Sequence, residues 1–478
     1  MKISDVIENI ECVVKGNENI DIKGIAYDSR KVKEGYLFVA IKGFETDGHK
    51  YIDAAIKNGA VAILGEDEVE CGCTYIKTKN SRRALACVAA NFYNHPERKL
   101  KIIGITGTNG KTTTTYIIRH ILALKGIRCD LIGTNQTIIG DEVIESGRTT
   151  PESLDLFAIF AKMVQTGGEY VVMEVSSHSL ALDRVYGVEF ETAVITNITQ
   201  DHLDFHKTLE NYAEAKAILF KMSKTAAVNT DSDFADLIQK SVKGDLITYG
   251  INNDADVKAQ NLRMSERGVI FDVNDRGETI EMRLGIPGKF SVYNALAAIC
   301  ACKNIGIEDS DIEKGLVLAK PVMGRIEVVH TNTPYTVIID YAHTPDGLEN
   351  IISAVRGFAK KRVITLFGCG GNRDSLKRPK MGKIAEDLSD LVIVTSDNPR
   401  CEKPEDIIKD ILVGMEKDNH VSIENRYDAI KYAMEIAAEG DIIILAGKGH
   451  ETYQEIEHIK HDFDERAVVR RILEEMKG

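Results

Sequence analysis

KIIGITGTNGKTT, Lys101 to Thr113, is the stretch that decides the fold. Its first six residues form a short apolar run of the kind a buried strand needs, a glycine-rich turn follows, and a helical pattern begins after it. A strand, such a turn and a helix in that order are what a phosphate-binding loop requires. Glycines let backbone N–H groups turn inward on phosphate oxygens, Lys111 supplies a cation, and Thr112 can offer its hydroxyl to Mg²⁺. The helix N-terminus adds favourable potential for an anion. Gly107, Thr108, Asn109, Gly110, Lys111, Thr112 and Thr113 are therefore the candidate ATP cradle. The strict spacing asks for glycine five residues before Gly110, where this chain has Ile105, and Gly104 falls one residue early. Transport, signalling, hydrolysis and ligation all use such loops, so the motif leaves the chemistry open.

Outward from the loop, apolar strands alternate with helical stretches. Tyr170–Val175 and Ala193–Asn197 read as further buried strands, and Ser153–Val164 and Leu209–Lys221 read as helices, which predicts a parallel sheet with crossover helices. A second series of strands runs through Thr336–Tyr341, Arg362–Gly368, Leu391–Asp397 and Asp441–Gly447. It predicts another α/β domain with its functional loops at the strand C-termini. Residues before about 98 carry shorter strands, including Tyr36–Ile41, and a helix near Asp53–Asn58. Between Lys258 and Leu284 the pattern turns to short alternating strands, an antiparallel extension of the middle domain. The polar segments Asn94–Lys101 and Ala319–Gly324 are candidate linkers. The expected fold class is α/β in three domains. Residues 1–98 form a smaller α/β N-terminal domain, 99–321 a central P-loop ATPase-like parallel sheet, and 322–478 a Rossmann-like C-terminal domain.

Bulk composition narrows the class. The chain has 478 residues, enough for several domains, and 44% hydrophobic residues, ordinary for a protein with real cores. A net charge of -13 argues against a nucleic-acid partner. The first residues lack the basic start and apolar run of a signal peptide, and no apolar stretch is long enough to span a bilayer. The expectation is a cytoplasmic, monomeric enzyme with no membrane partner. The 9 cysteines are scattered, and the C-x-C pairs Cys71/Cys73 and Cys300/Cys302 lack a histidine cluster to complete a zinc pattern. Reduced, buried thiols are expected.

TGTNGKTT is followed in order by EVSSH at Glu174–His178, TNITQDHLDFH at Thr196–His206 and EAKAILF around Lys216. Then come GKFSVYNALAA at Gly288–Ala298, MGR at Met323–Arg325, DYAHTPD at Asp340–Asp346 and GCGGNRDSLKRPKMG at Gly368–Gly382. Together these resemble the Mur ligase family, which extends the peptide of the bacterial cell-wall precursor, and the resemblance covers essentially the whole chain. Within that family the chain is similar to the ligases that add the third residue, acting on UDP-N-acetylmuramoyl-L-alanyl-D-glutamate. Asp28-Ser29-Arg30, TTPES at Thr149–Ser153, Glu174–Arg184 and DNPR at Asp397–Arg400 point there. The loop that contacts UDP in relatives is matched only in part, at Phe44-Glu45-Thr46.

The resemblance implies an ATP-dependent amide ligase with an acyl-phosphate intermediate, so ATP and Mg²⁺ are expected. Lys111 would serve the β/γ-phosphates, with one Mg²⁺ near Thr112. A second Mg²⁺ is expected on Glu174 and His202. Glu174 closes a very apolar strand, where a carboxylate is costly unless it serves a charge. The resemblance further implies a CO₂-derived carbamate on Lys216 that supports Mg²⁺. Asn294 and Arg325 match positions around ATP. Asp340 and His343 lie at a strand end facing the same cleft. Ser29, Thr149, Thr150, Ser176 and Arg184 match positions that hold the nucleotide-sugar dipeptide, with Arg184 expected to pair with an anionic part of it.

The incoming amino acid is expected to be meso-diaminopimelate, with L-lysine as the alternative. The two differ by one distal carboxylate, which Arg400 can grip bidentately. Arg373, Asp397, Asn398, Pro399, Gly447 and Glu451 would complete that pocket, with Asp397 or Glu451 receiving the distal ammonium. Were lysine to enter, Arg400 would be left buried with no anion. Two further readings are another ligase of the same fold, such as a folylpolyglutamate synthase or the fourth-step Mur ligase, and a non-catalytic nucleotide-binding subunit.

Overall fold

The computed structural model describes residues 1–43, 46–265, 268–275 and 277–476. Phe44 and Glu45 of the expected UDP loop lie outside them. The strand Lys101–Thr106 sits at the centre of a sheet of eleven strands among the described residues. Its neighbours Tyr170–Glu174 and Phe190–Ile195 run parallel to it. Cys129–Ile132 extends the parallel set on one side, and Ser223–Asn229 and Asp245–Gly250 extend it on the other. The central strands Lys101–Thr106, Tyr170–Glu174 and Phe190–Ile195 are largely buried on both faces, which is why they read as apolar runs rather than alternating ones. Beyond them Val257–Ser265, Gly268–Asp275 and Glu278–Leu284 form the antiparallel extension that the alternating pattern predicts.

The helix Lys111–Leu124 buries Ile117, Ile118, Ile121 and Leu122 against one face of this sheet, and Lys289–Asn304 packs beside it. Each such aliphatic side chain contributes about 1.5–3 kcal/mol by leaving water. The opposite face is covered by Ser153–Gln165 and Leu209–Lys221, close to the ranges read from sequence.

A second sheet has the order Glu327–Val329, Thr336–Asp340, Ile442–Ala446, Val363–Phe367, Leu391–Val394 and His420–Ser422, parallel except for its first strand. The expected strands are all present but one to three residues shorter at their C-terminal ends. There the chain leaves the sheet to build loops, and Arg426 reaches into those loops from below. Both Arg426 and Glu465 are fully buried and paired at 2.8 Å. Arg426 also donates to Ala446 O at 2.8 Å and Ser396 O at 3.3 Å, tying two strand ends together.

The N-terminal sheet is Cys12–Lys15, Thr74–Thr78, Ala60–Gly65, Tyr36–Val39 and Gly24–Ala26. Sequence reading overlooked the helix Ser81–Phe92, whose N-cap Asn80 accepts from Arg82 N and Arg83 N. This helix packs on Ser153–Gln165 of the middle sheet. The segment expected as a polar linker at Asn94–Lys101 is partly buried, because Pro96, Glu97 and Leu100 close under that contact. The expectation of buried thiols holds for Cys129, Cys300, Cys302 and Cys369. Cys12, Cys71, Cys73 and Cys87 are half-buried and Cys401 is exposed, and all nine are unpaired.

Candidate active site

The phosphate loop owes its shape to two glycines. Gly107 (φ +146) and Gly110 (φ +85) occupy backbone conformations that side chains rarely adopt. A Cβ on Gly107 would collide with Thr196 Oγ1, and one on Gly110 with Asn294 Oδ1. Gly104, one residue early for the strict spacing, lies within the strand, where a Cβ would strike the Phe190 ring at 2.7 Å. The loop's own glycine is therefore Gly107. Lys111 Nζ donates back to Gly107 O at 2.9 Å and Thr108 O at 2.8 Å, curling over the loop where phosphate oxygens are needed. Burial lowers its pKa, opposed by the charges of Glu174 and Asp201.

Glu174 is fully buried at the end of its strand. It accepts from Thr112 Oγ1 at 3.0 Å, Thr134 N at 2.9 Å and Thr134 Oγ1 at 2.9 Å. All three donors are neutral, so this carboxylate is held in place without an ion pair, an arrangement that suits a cation ligand. Thr134 was missed in the sequence because nothing local marks it. Lys216 is buried, donates to Gly107 O at 2.9 Å and lies 4.3 Å from the Tyr212 ring centre. Burial, and then the neighbouring Lys111 charge, hold its pKa well below the ordinary lysine range. His202 adopts φ +55 at the start of the short helix Leu203–His206, with its Nε2 3.4 Å from Asp201 Oδ2. Burial lowers its pKa to about 3 against the pull of Asp201. The expected metal set thus divides. Thr112 and Glu174 touch, while Lys216 bonds to Gly107 O and His202 lies beside Asp201.

Two cavities lie between the middle and C-terminal domains, and the first borders the loop. The first, of about 260 Å³, is lined by Asn109, Gly110, Thr112 and Thr113 together with Tyr293, Asn294, Arg325, Asp340 and Asp346. It joins the middle and C-terminal domains. Asn109 Nδ2 donates to Asp346 Oδ2 at 2.6 Å, and Arg325 reaches Thr112 Oγ1 at 3.4 Å. The buried Nε of Arg325 has no partner, and its guanidinium stacks 4.6 Å over Tyr341. A free guanidinium N–H beside a glycine cradle fits a phosphate-bearing ligand.

The second cavity, of about 410 Å³, gathers most of the predicted substrate residues. Thr149, Thr150, Ser176, Arg184 and His202 line it from the middle domain, and His343, Arg373, Asp397, Asn398, Arg400, Gly447 and Glu451 from the C-terminal domain. Burial lowers the pKa of His343 to about 4. Lys377 and Asp201 also line this cavity and were not foreseen as site residues. Pro399 does not line it, but its carbonyl packs against Gly371. Ser29 lines neither cavity. It sits in a turn of the N-terminal domain, where its carbonyl accepts from Asn58 Nδ2 at 2.9 Å.

Asp397 is buried, and its Oδ1 accepts from Asn398 N at 2.7 Å while Oδ2 has no partner. Burial pushes its pKa up, but Lys448 and Arg426 outweigh that and keep it ionised. Gly447 (φ +114) makes room, since a Cβ there would lie 2.6 Å from Asp397 Oδ2. A buried carboxylate oxygen without a hydrogen-bond partner, on a residue that lines the cavity, suits an ammonium. Glu451 accepts from Asn398 Nδ2 at 2.9 Å and Lys448 Nζ at 3.3 Å. Its pKa is raised by burial and by Asp397.

Two of the expected ligand-binding arginines have anionic partners within the protein. Arg184 is already paired, its Nε 2.8 Å from Glu152 Oε1, because Glu152 is itself nearly buried and needs a counterion. Arg400 is not without an anion. Its Nε donates to Glu455 Oε2 at 3.0 Å and its NH1 to Gly371 O at 2.8 Å.

Comparison with known proteins agrees with this geometry. The family model for the Mur ligase middle domain matches residues 105–302, that for the Mur ligase, glutamate ligase domain matches 324–449, and that for the Mur ligase family, catalytic domain matches 21–93. The chain is 50% identical over 484 residues to UDP-N-acetylmuramoyl-L-alanyl-D-glutamate--2,6-diaminopimelate ligase of Clostridium botulinum, covering 100% of both chains. It is 46% identical to the protein of that name in Clostridioides difficile, again over 100% of both. A solved structure of such a ligase matches with TM-score 0.70 and 31% identity, covering 100% of this chain and 99% of that one. The ligase MurF of Thermotoga maritima, solved with ADP, shares the fold at TM-score 0.64 and 20% identity, covering 94% of this chain and 96% of that one. With a full-length relative at half identity and a phosphate loop, a cross-domain cleft and three domain models in the order the sequence implied, the chain belongs to the Mur ligase family.

Proposed function

We infer that this chain is an ATP-dependent ligase that joins meso-diaminopimelate to the D-glutamyl γ-carboxylate of UDP-N-acetylmuramoyl-L-alanyl-D-glutamate, releasing ADP and phosphate. The observation that carries the reading is the second cavity. It gathers the ionised Asp397, whose charge suits an ammonium, and the Arg400 guanidinium with Thr150, Ser176 and His202. Residues 1–98 would take the nucleotide sugar, 99–321 ATP and 322–478 the amino acid. The chain is proposed to act as a monomer. The reaction is assigned to the cytoplasm, where ATP is supplied. No helix of the described residues is long and apolar enough to cross a membrane.

A carboxylate does not acylate an amine in water because its leaving group would be oxide. Attack of the γ-carboxylate on the γ-phosphorus breaks its bond to ADP, which departs, and makes that carboxylate oxygen part of an acyl phosphate. The incoming amine then adds to the acyl carbon, loses a proton, and phosphate departs. Two polyanions must meet, so the protein's work is positioning and charge neutralisation. Lys111 leaves its loop carbonyls for the β/γ-phosphates, Asn294 and Arg325 border the nucleotide, and Arg373 and Lys377 add positive charge where the carboxylate enters. Thr112 and Glu174 are the first candidates to hold Mg²⁺, with His202 and a carbamylated Lys216 beyond them, and the ion would neutralise phosphate charge. For the carbamate, the Lys216 amine must be unprotonated. It bonds to the carbon of CO₂, gives up a proton and becomes an anion that Lys111 can balance.

Phosphate release tests the assignment. The purified chain with ATP and Mg²⁺ should release phosphate only when the UDP-dipeptide and meso-diaminopimelate are both present. Release with tetrahydrofolate and glutamate, or with no acceptor, would overturn it.

A further inference from the structure

On the proposed diaminopimelate reading, Arg400 would meet the distal carboxylate by which the two competing amino acids differ, and Arg400 is paired with Glu455. Arg400 lies at the strand-end loop of the amino-acid cavity, and Glu455 lies on the hairpin Tyr453–Ile456/Ile459–Asp462, 55 residues later. Backbone bonds hold the two segments together. Arg400 N donates to Glu455 O at 3.0 Å and Glu457 N to Arg400 O at 2.8 Å. Asn398 Oδ1, in the same loop, accepts from Glu455 N at 2.9 Å. The two segments are therefore held side by side, and both side chains are mostly covered, at 19% and 22% exposure. Nε is on Glu455 and Nη1 on Gly371 O, and Nη2 takes part in neither bond.

We propose that Glu455 is a specificity-determining positioning residue that narrows the preference for an amino acid with a distal carboxylate over one without it. This rests on the diaminopimelate ligase reading. A guanidinium with no protein partner penalises a ligand that brings no anion, because a covered charge would stay uncompensated. Glu455 removes that penalty by supplying the anion from within the protein. It also stands beside the distal carboxylate when one arrives, and like charges repel. Both effects move the ratio of the two substrates in the same direction, toward tolerance of lysine.

Glu455→Gln separates charge from orientation, since the amide oxygen can still accept from Arg400 Nε. The measurement is kcat and KM for meso-diaminopimelate and for L-lysine, with ATP and UDP-dipeptide saturating. Discounting for partial solvent exposure, the diaminopimelate-to-lysine ratio of kcat/KM should rise about tenfold. The change should fall on the two KM values, with kcat for diaminopimelate held. A ratio that is unchanged or falls, or a common loss in kcat for both amino acids, would overturn the inference while leaving the ligase assignment standing. Absence of turnover by the wild type with either amino acid would overturn the ligase assignment and this inference with it.

Discussion

Lys111 and Lys216 are two buried amines that share one acceptor, Gly107 O. A second cation there would be repelled by the first, so the pair is best relieved by turning one into an anion or neutralising both with phosphate. Lys111→Ala should abolish ligation while circular dichroism and Tm stay near wild type. Wild-type turnover in that variant, with normal ATP affinity, would remove the phosphate-loop assignment. Lys216→Ala should be nearly inactive and partly restored by a small carboxylic acid that fills the place of the carbamate. Stripping bicarbonate and CO₂ should lower wild-type activity, and unchanged activity without them would count against the carbamate. Both lysines could be picked out of the sequence, one from its loop and one from its family motif. Thr134 and Glu455 could not. Their partners are 40 and 55 residues away, and no spacing rule links a strand-end carboxylate to a distant threonine or an arginine to a later hairpin.

At the scale of elements, the parallel strands were legible because burial on both faces leaves only apolar residues, as in IIILA of Ile442–Ala446. The edge strand Glu142–Glu145 was not, because all four residues are exposed and its pairing with Gln136–Ile139 is antiparallel. The strand ends were overread because SD and G after an apolar run do not say where pairing stops. Arg426 settles that point in the C-terminal sheet by capturing Ser396 O and Ala446 O. Arg426→Ala should therefore destabilise the protein by about 3–5 kcal/mol, since Glu465 is left buried and unpaired. Combined Arg426→Met and Glu465→Leu should recover much of that loss in urea unfolding. A single variant of wild-type stability would show that the ion pair does not hold the strand ends.

Across the whole molecule, the middle and C-terminal domains meet beside the phosphate loop, and buried histidines of the C-terminal domain favour their neutral form. Burial lowers His343 and His450 to about 4 from the ordinary 6.5. Between those values the unfolded chain holds more protons than the folded one. Stability is therefore fully present above about 6.5 and is lost as pH falls toward about 4. Tm should drop over that window, and His450→Asn, which does not titrate, should make the drop shallower. An unchanged slope in that variant would contradict the assignment of neutral buried rings. The order of domains was readable from motif order, but the way they close was not. Contacts such as Asn109 with Asp346 join residues 237 positions apart.

The central claim is that this cleft activates the glutamyl carboxylate as an acyl phosphate, and oxygen tracing tests it most directly. UDP-N-acetylmuramoyl-L-alanyl-D-glutamate carrying ¹⁸O in its γ-carboxylate is incubated with the chain, ATP, Mg²⁺ and meso-diaminopimelate, and the products are weighed by mass spectrometry. One ¹⁸O should appear in each inorganic phosphate, matched by an equal amount of UDP-tripeptide. Unlabelled phosphate, or labelled phosphate with no tripeptide, would contradict the account.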